Sequence, residues 1–233
     1  MYDLKDNRVT QDNVLVSASY RMGLNEKRLL IACISKLDPE SKAWKAGRAE
    51  AEMIATEWGE LYGIGPKSAY REMREAAKGL FERSVRIYGD SKKGKEIRWL
   101  SAWEWSQNEG RVVLTFSGPV LYYLTGMLDQ FTSYDLLGVS GLKSIHSIRL
   151  YELASQFKGT GWRHIELDEL RKMLSLGDAY QTWDNLKRKV IDRATKEITA
   201  KSDLDVSYEI VKRGRPVVAI KLHVSEKQQL ELL

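Results

Sequence analysis

The chain has 233 residues, with 37 Lys+Arg against 32 Asp+Glu, three His and one Cys. That length holds one large domain or two small ones, and seven Trp with eleven Tyr exclude wholesale disorder. One cysteine excludes an internal disulfide or a zinc site built of thiolates, so the expected setting is reduced and cytoplasmic. The opening MYDLKDNRVTQDN lacks the layout of a signal peptide, and no apolar run approaches the roughly 20 residues of a membrane helix, so no membrane partner is expected. A net charge of +5 is too small to name a partner, and what matters is where the charge sits.

Residues 1–13 are polar and read as a flexible arm. LNEKRLLIACISKL (24–37) reads as a helix stopped by Asp38-Pro39, and AEMIATEWGELYG (51–63) as a second helix closed by Gly63. In GIGPKSAYREMREAAKGLF, Pro66 suits a first helical position. Ala69, Tyr70, Met73, Ala76, Ala77, Leu80 and Phe81 then recur at helical spacing. Lys67, Arg71, Arg74 and Lys78 fall on one flank of the remaining surface, and Glu72 and Glu75 on the other. SVRIY (84–88) alternates like a strand, GDSKKGKE (89–96) is a basic turn, and IRWLSAWEW (97–105) and RVVLTF (111–116) read as further strands.

The order then recurs. After FTSYDLL come helices over 143–157 and 165–176, a basic helix over 182–200, and strands VSYEIV (206–211) and PVVAIKLHV (216–224). The two halves share little identity but the same element order, which predicts two small domains joined near residues 126–132.

The segment 182–200 is the most informative. Trp183, Leu186, Val190, Ile191, Ala194 and Ile198 share one face, while Asn185, Arg188, Lys189 and Lys196 project opposite. Arg193 lies at the edge, and ideal spacing puts Lys187 inside the apolar face with its stem partly covered. Five cations against one anion between Lys187 and Lys196 leave +4 in ten residues, a repulsion that a polyanion would offset. A charged helix face is most often a solvated face. This one, however, follows a helix across a short turn and precedes a hairpin with the basic tip Lys212-Arg213-Gly214-Arg215. Helix, reading helix and basic wing are the layout of a winged helix-turn-helix. In the first half, Lys92, Lys93 and Lys95 sit at the tip of the β unit after the helix that carries Lys67, Arg71, Arg74 and Lys78. The expected fold is therefore α+β, two tandem winged-helix domains over 1–128 and 129–233, with double-stranded DNA as the partner.

The same residues resemble the iteron-binding plasmid replication initiators. FTSYDLL…KSIHSIRLYELASQFKGTGWRHIELDELRKML resembles the opening of that family's second domain, and AYQTWDNLKRKVIDRATKEI its basic reading helix. KRGRPVVAIKLHV resembles the closing hairpin, and VLVSASYRMGLNEKRLLIACI with IGPKSAYREMREAAKGLFERSVRIY fits the first domain. The resemblance covers residues 9–224. It implies monomers that bind direct repeats and open an origin, and dimers, paired through the first domain, that repress the initiator's own gene. It also implies a host initiator ATPase and replicative helicase as partners, and no cofactor or metal.

By position it implies Tyr180, Gln181, Asn185, Lys187, Arg188, Lys189 and Arg193 as second-domain readers, and Lys67, Ser68, Arg71, Arg74 and Lys78 in the first domain. Lys196 extends the second stripe, and Arg213 and Arg215 belong to the wing. The family often carries Phe-Lys-Arg-Arg-Val where this chain has Leu-Lys-Arg-Lys-Val. Arginine can fork onto a guanine edge and lysine cannot, so Arg188 is the candidate for base readout, with Lys187 and Lys189 on phosphates.

Other readings carry less. A plain winged-helix repressor would share every feature above. His146 and Arg149 have the H-x-x-R spacing of tyrosine recombinases, but they sit in a helix whose apolar residues spread around most of its circumference. No His-x-His pair exists for a rolling-circle nickase. Gly63-Ile-Gly65 is a cap and turn, and Glu96 spoils the P-loop-like Gly89…Gly94-Lys95. Trp99, Trp103 and Trp105 could stack on bases, but alternating aromatics in a strand are more often core and interface.

Overall fold

The computed structural model describes residues 7–38, 40–88, 93–124 and 130–227, and divides the chain into two compact units, Met1–Ser140 and Gly141–Leu233. The first unit begins β1 (Arg8–Asp12), α1 (Asn13–Ser17), α2 (Leu24–Ile34), α3 (Lys42–Lys45), β2 (Glu50–Ile54), α4 (Ala55–Tyr62) and α5 (Pro66–Phe81). It continues with β3 (Ser84–Tyr88), β4 (Gly94–Arg98), β5 (Leu100–Ser106), β6 (Arg111–Phe116), α6 (Gly118–Leu121), β7 (Phe131–Asp135) and α7 (Leu136–Ser140).

Helices α2, α4 and α5 pack around Leu29, Leu30, Trp58, Met73, Ala77 and Leu80, all buried, and close on a three-stranded sheet in the order β2-β6-β5. Pro66 occupies the first turn of α5 as the sequence indicates, and Gly63 ends α4 in the left-handed conformation with φ 65°. Gly79 on α5 leaves room for the Glu26 carboxylate of α2. A Cβ there would clash with Glu26 Oε1, and the Arg83 guanidinium grips both oxygens of that carboxylate, donating at 2.8 Å to Oε1 and at 2.9 Å to Oε2.

In the first unit three elements differ from the sequence reading. Residues 8–12 are a strand rather than part of an arm, because β1 pairs antiparallel with β7, Val9 opposite Tyr134, both buried. That pairing also draws β7 and α7 into the first unit, so the division falls after Ser140 instead of after residue 128. The opening of the expected helix 51–63 is β2, whose alternating burial matches its pairing with β6, Ala51 opposite Leu114. The expected strand 97–105 breaks at the buried Trp99 into β4, which pairs only with β3, and β5, which joins the main sheet.

The second unit runs α8 (Ile145–Ser155), β8 (Trp162–Glu166), α9 (Leu167–Met173) and α10 (Trp183–Leu186). A π turn (Lys187–Ile191), α11 (Asp192–Lys201), β9 (Leu204–Lys212) and β10 (Val217–Glu226) follow. Its sheet has the order β8-β10-β9, so each unit builds one sheet the same way, with the last strand between the first and the second. The expected helix 165–176 starts two residues late because Ile165 and Glu166 finish β8, opposite Ile220 and Ala219. Inside the unit, Arg149 and Glu152 of the R-L-Y-E run form a 2.9 Å ion pair, with side chains 3% and 0% exposed. Arg149 also donates to the Met173 carbonyl at the end of α9. The H-x-x-R arginine is thus a core strut between two helices.

Candidate nucleic-acid interface

In the second unit, Arg171 on α9 donates to the carbonyls of Tyr180 and Ala179 at 2.8 and 3.1 Å, holding the turn before the basic helix. Tyr180 sits there at φ 56°, a left-handed conformation costly for a bulky residue, and its ring meets His146 edge-on at 6.2 Å. Thr182 caps the helix by accepting from the Asn185 N–H. Val190, Ile191, Ala194 and Ile198 turn inward and are buried.

The basic run lies on the π turn. The Asp192 N–H reaches back five residues to the Lys187 carbonyl, adding a residue to that turn and shifting the phase of the helix. Lys187 is exposed, 3.8 Å from the Asp192 carboxylate, its side chain 46% accessible, compatible with a partly covered stem whose ammonium reaches out. Arg188, Lys189, Arg193 and Lys196 are exposed as well, Gln181 is exposed, and Tyr180 and Asn185 are half-buried. At the hairpin tip, Gly214 turns at φ 70° and the Arg213 N–H bonds to the Pro216 carbonyl, leaving Lys212, Arg213 and Arg215 exposed.

The geometry adds residues that sequence reasoning missed. A cleft of about 540 Å³ runs between the start of α8 and the basic helix, and Lys143, His146 and Lys201 line it together with Lys189, Arg193 and Lys196. Glu197 is the acidic residue among its walls. Burial pushes the Glu197 carboxyl up, but the nearby Ser147 hydroxyl, the hydrogen bonds from the Lys143 N–H and Lys201, and the charge of Lys201 more than offset this and hold it below the usual range. Burial pushes the His146 imidazole below its ordinary value. Lys143 lies just before Ser144, the N-cap of α8, and only its spatial approach to the other helix marks it.

In the first unit, α5 presents Lys67, Arg71 and Lys78 exposed in one stripe, with Ser68 and Arg74 half-buried beside them and Arg71 within 3.5 Å of the Ser68 hydroxyl. The position corresponding to the second unit's wing is the β5–β6 hairpin, the outer pair of the same sheet order. Its turn carries Glu109, paired at 2.6 Å with Arg111, which also pairs with Glu52. The expected basic tip is elsewhere. Lys93 and Lys95 are exposed on the separate β3–β4 hairpin, and Lys92 lies outside the described residues. Of the tryptophans, Trp99 is core as expected, while Trp105 is 51% exposed.

Among the described residues no cluster of His, Cys, Asp and Glu is gathered to hold a metal, and no helix is long and apolar enough to cross a membrane. Burial pushes the Cys33 thiol up to about 12, so it stays protonated and unreactive.

Both units are winged-helix domains, each with a basic stripe on the helix before its wing. The family model described as "Initiator Replication protein, WH1" matches residues 8–155, and "Initiator Rep protein, WH2" matches residues 166–224. The chain belongs to this replication initiator family. Similar proteins include an Escherichia coli "Replication initiation protein", 27% identical over 97% of this chain and 72% of that one. An Escherichia coli "PI protein" is 25% identical over 93% of this chain and 82% of its own length. The solved structure titled "Crystal structure of Pi initiator protein in complex with iteron DNA" shares the fold at a TM-score of 0.82 and 20% identity, covering 96% of this chain and 99% of that one.

Proposed function

We propose that this chain initiates replication of a plasmid by binding direct repeats, or iterons, at the origin as a monomer. A dimer paired through the first unit represses the chain's own gene. Binding is non-covalent and takes place in the cytoplasm. In the second unit, Arg188 reads a base edge with Tyr180, Gln181, Asn185 and Arg193 beside it, and Lys187, Lys189 and Lys196 hold phosphates. Arg213 and Arg215 grip phosphates from the wing, and Lys67, Ser68, Arg71, Arg74 and Lys78 form the contact of the first unit, with Lys92 and Lys93 as further DNA contacts. Bending a site costs of order 1–6 kcal/mol, which a large interface offsets. The strain falls on neighbouring A·T-rich DNA, where the host initiator ATPase and helicase act.

The observation that carries this reading is the recurrence of one layout, a basic stripe on the helix preceding a wing, in both units of an initiator-family chain. The Pi initiator, which shares the fold, was captured with iteron DNA. Footprinting on the DNA flanking the chain's own gene tests it. Tandem protected repeats about two helical turns apart are expected. A single inverted repeat would indicate a plain repressor. Nicks or covalent protein–DNA adducts on supercoiled origin plasmid would overturn the non-covalent mechanism.

A further inference from the structure

In both units an aromatic side chain on the first strand of the wing meets a charged side chain of the basic helix, and the two contacts differ in kind. In the second unit Tyr208 on β9 bonds to Asp192, an anion. In the first unit the partner is a cation. The Arg74 guanidinium of α5 lies over the Trp105 ring of β5, 5.3 Å from its centroid. Trp105 rests in turn against Trp103, with centroids 4.7 Å apart and planes tilted 31°. Both indoles share the face of β5 opposite Val112 and Leu114, the face that packs toward α5. Trp103 is half-buried and anchors the pair, whereas Trp105 is 51% exposed, so the shelf ends at the surface beside Lys67, Arg71 and Lys78.

We infer that Trp105 is a positioning residue for duplex DNA binding by the first unit, holding Arg74 extended for a backbone phosphate; this rests on the function proposed above. An arginine on an open helix face samples many rotamers, and fixing it on binding costs conformational entropy. A ring face attracts the guanidinium without using its N–H donors, so the side chain is ordered in advance with its hydrogen-bonding fork still available. The shelf also compensates for the wing tip of this unit, where Arg111 is already paired with Glu109 and Glu52.

The test uses the full-length protein and a duplex that the wild type selects from a random-sequence pool. Trp105→Leu keeps an apolar side chain on the sheet and removes the ring face. It is expected to weaken binding about two- to five-fold, with Trp105→Phe recovering most of the loss. Arg74→Ala is expected to lower the slope of log affinity against log salt by about 0.9, one phosphate contact. In the Arg74→Ala background, Trp105→Leu should cause no further loss, because the two act as a unit. A Trp105→Leu effect that persists in full without Arg74, or no effect in the wild-type background, would overturn the inference while leaving the proposed function standing. A wild-type chain that selects no duplex would overturn both.

Discussion

The Tyr208 phenol on β9 donates a 2.5 Å hydrogen bond to the carboxylate of Asp192, the acidic residue inside the basic run. The bond ties the wing to the helix it flanks, and the same carboxylate also lies 3.8 Å from the Lys187 ammonium. Burial first, and then Asp192 as acceptor and charge, push the Tyr208 hydroxyl above its usual range. Tyr208→Phe should destabilise the second unit by about 1 kcal/mol in urea unfolding, since the half-exposed Asp192 regains water. The folded state retains a proton that an unfolded tyrosine loses near pH ~10, so wild-type stability should fall as pH rises past that point. The variant should lose less over the same range.

Arg149→Ala removes one member of the buried pair with Glu152 and the strut to the Met173 carbonyl. A loss of roughly 3–5 kcal/mol is expected, the cost of breaking a buried pair from one side. Arg149→Lys should restore only part of it, because an ammonium cannot span both acceptors. Thermal unfolding measures both, and a loss below about 1 kcal/mol for the alanine variant would rule out a structural role of this size.

Arg188→Ala should cost about 1–3 kcal/mol of DNA affinity and relax discrimination at one base pair, if the guanidinium forks onto a guanine edge. Binding to a panel of singly substituted repeats is the measurement. Equal weakening on every sequence would make Arg188 a phosphate contact.

Arg213→Ala, at the exposed wing tip, should lower affinity with sequence preference intact and reduce the salt slope by about 0.9. An unchanged slope would mean that the wing stays off the DNA.

His146 should make the second unit sensitive to acid. Burial disfavours its charged form, so below about pH 6.5 the unfolded chain takes up a proton that the folded chain resists. Stability conferred by the neutral ring is complete above that pH and is lost as pH falls toward the lowered folded value. His146→Gln should flatten the stability profile on the acid side of about pH 6.5. A profile that is the same with and without the histidine would show that another group governs the loss.

The sequence alone determined whatever depends on near neighbours. Helix α5 was legible from Pro66 and the spacing of Ala69, Met73, Ala76 and Leu80, and its basic stripe from the same periodicity. The two basic segments, the Lys212–Arg215 turn and the winged-helix order were readable in the same way. The net charge of +5 concealed that stripe and the run Lys187–Lys196, each confined to one helix.

Only the tertiary structure decided what depends on residues far apart in the chain. Strands β2 and β8 are five-residue strands that run directly into helices, with Ile54 and Glu166 as the N-caps, and locally they resemble helix starts. Their hydrogen-bond partners, Thr115 for Glu50 and His223 for Trp162, lie more than fifty residues on. The same distance hid which hairpin of the first unit is the wing, since sheet order and not charge distinguishes β5–β6 from β3–β4. The π turn over Lys187–Ile191 and the Trp105–Arg74 contact also escape a strict helical period, because each is set by how helix and sheet pack together.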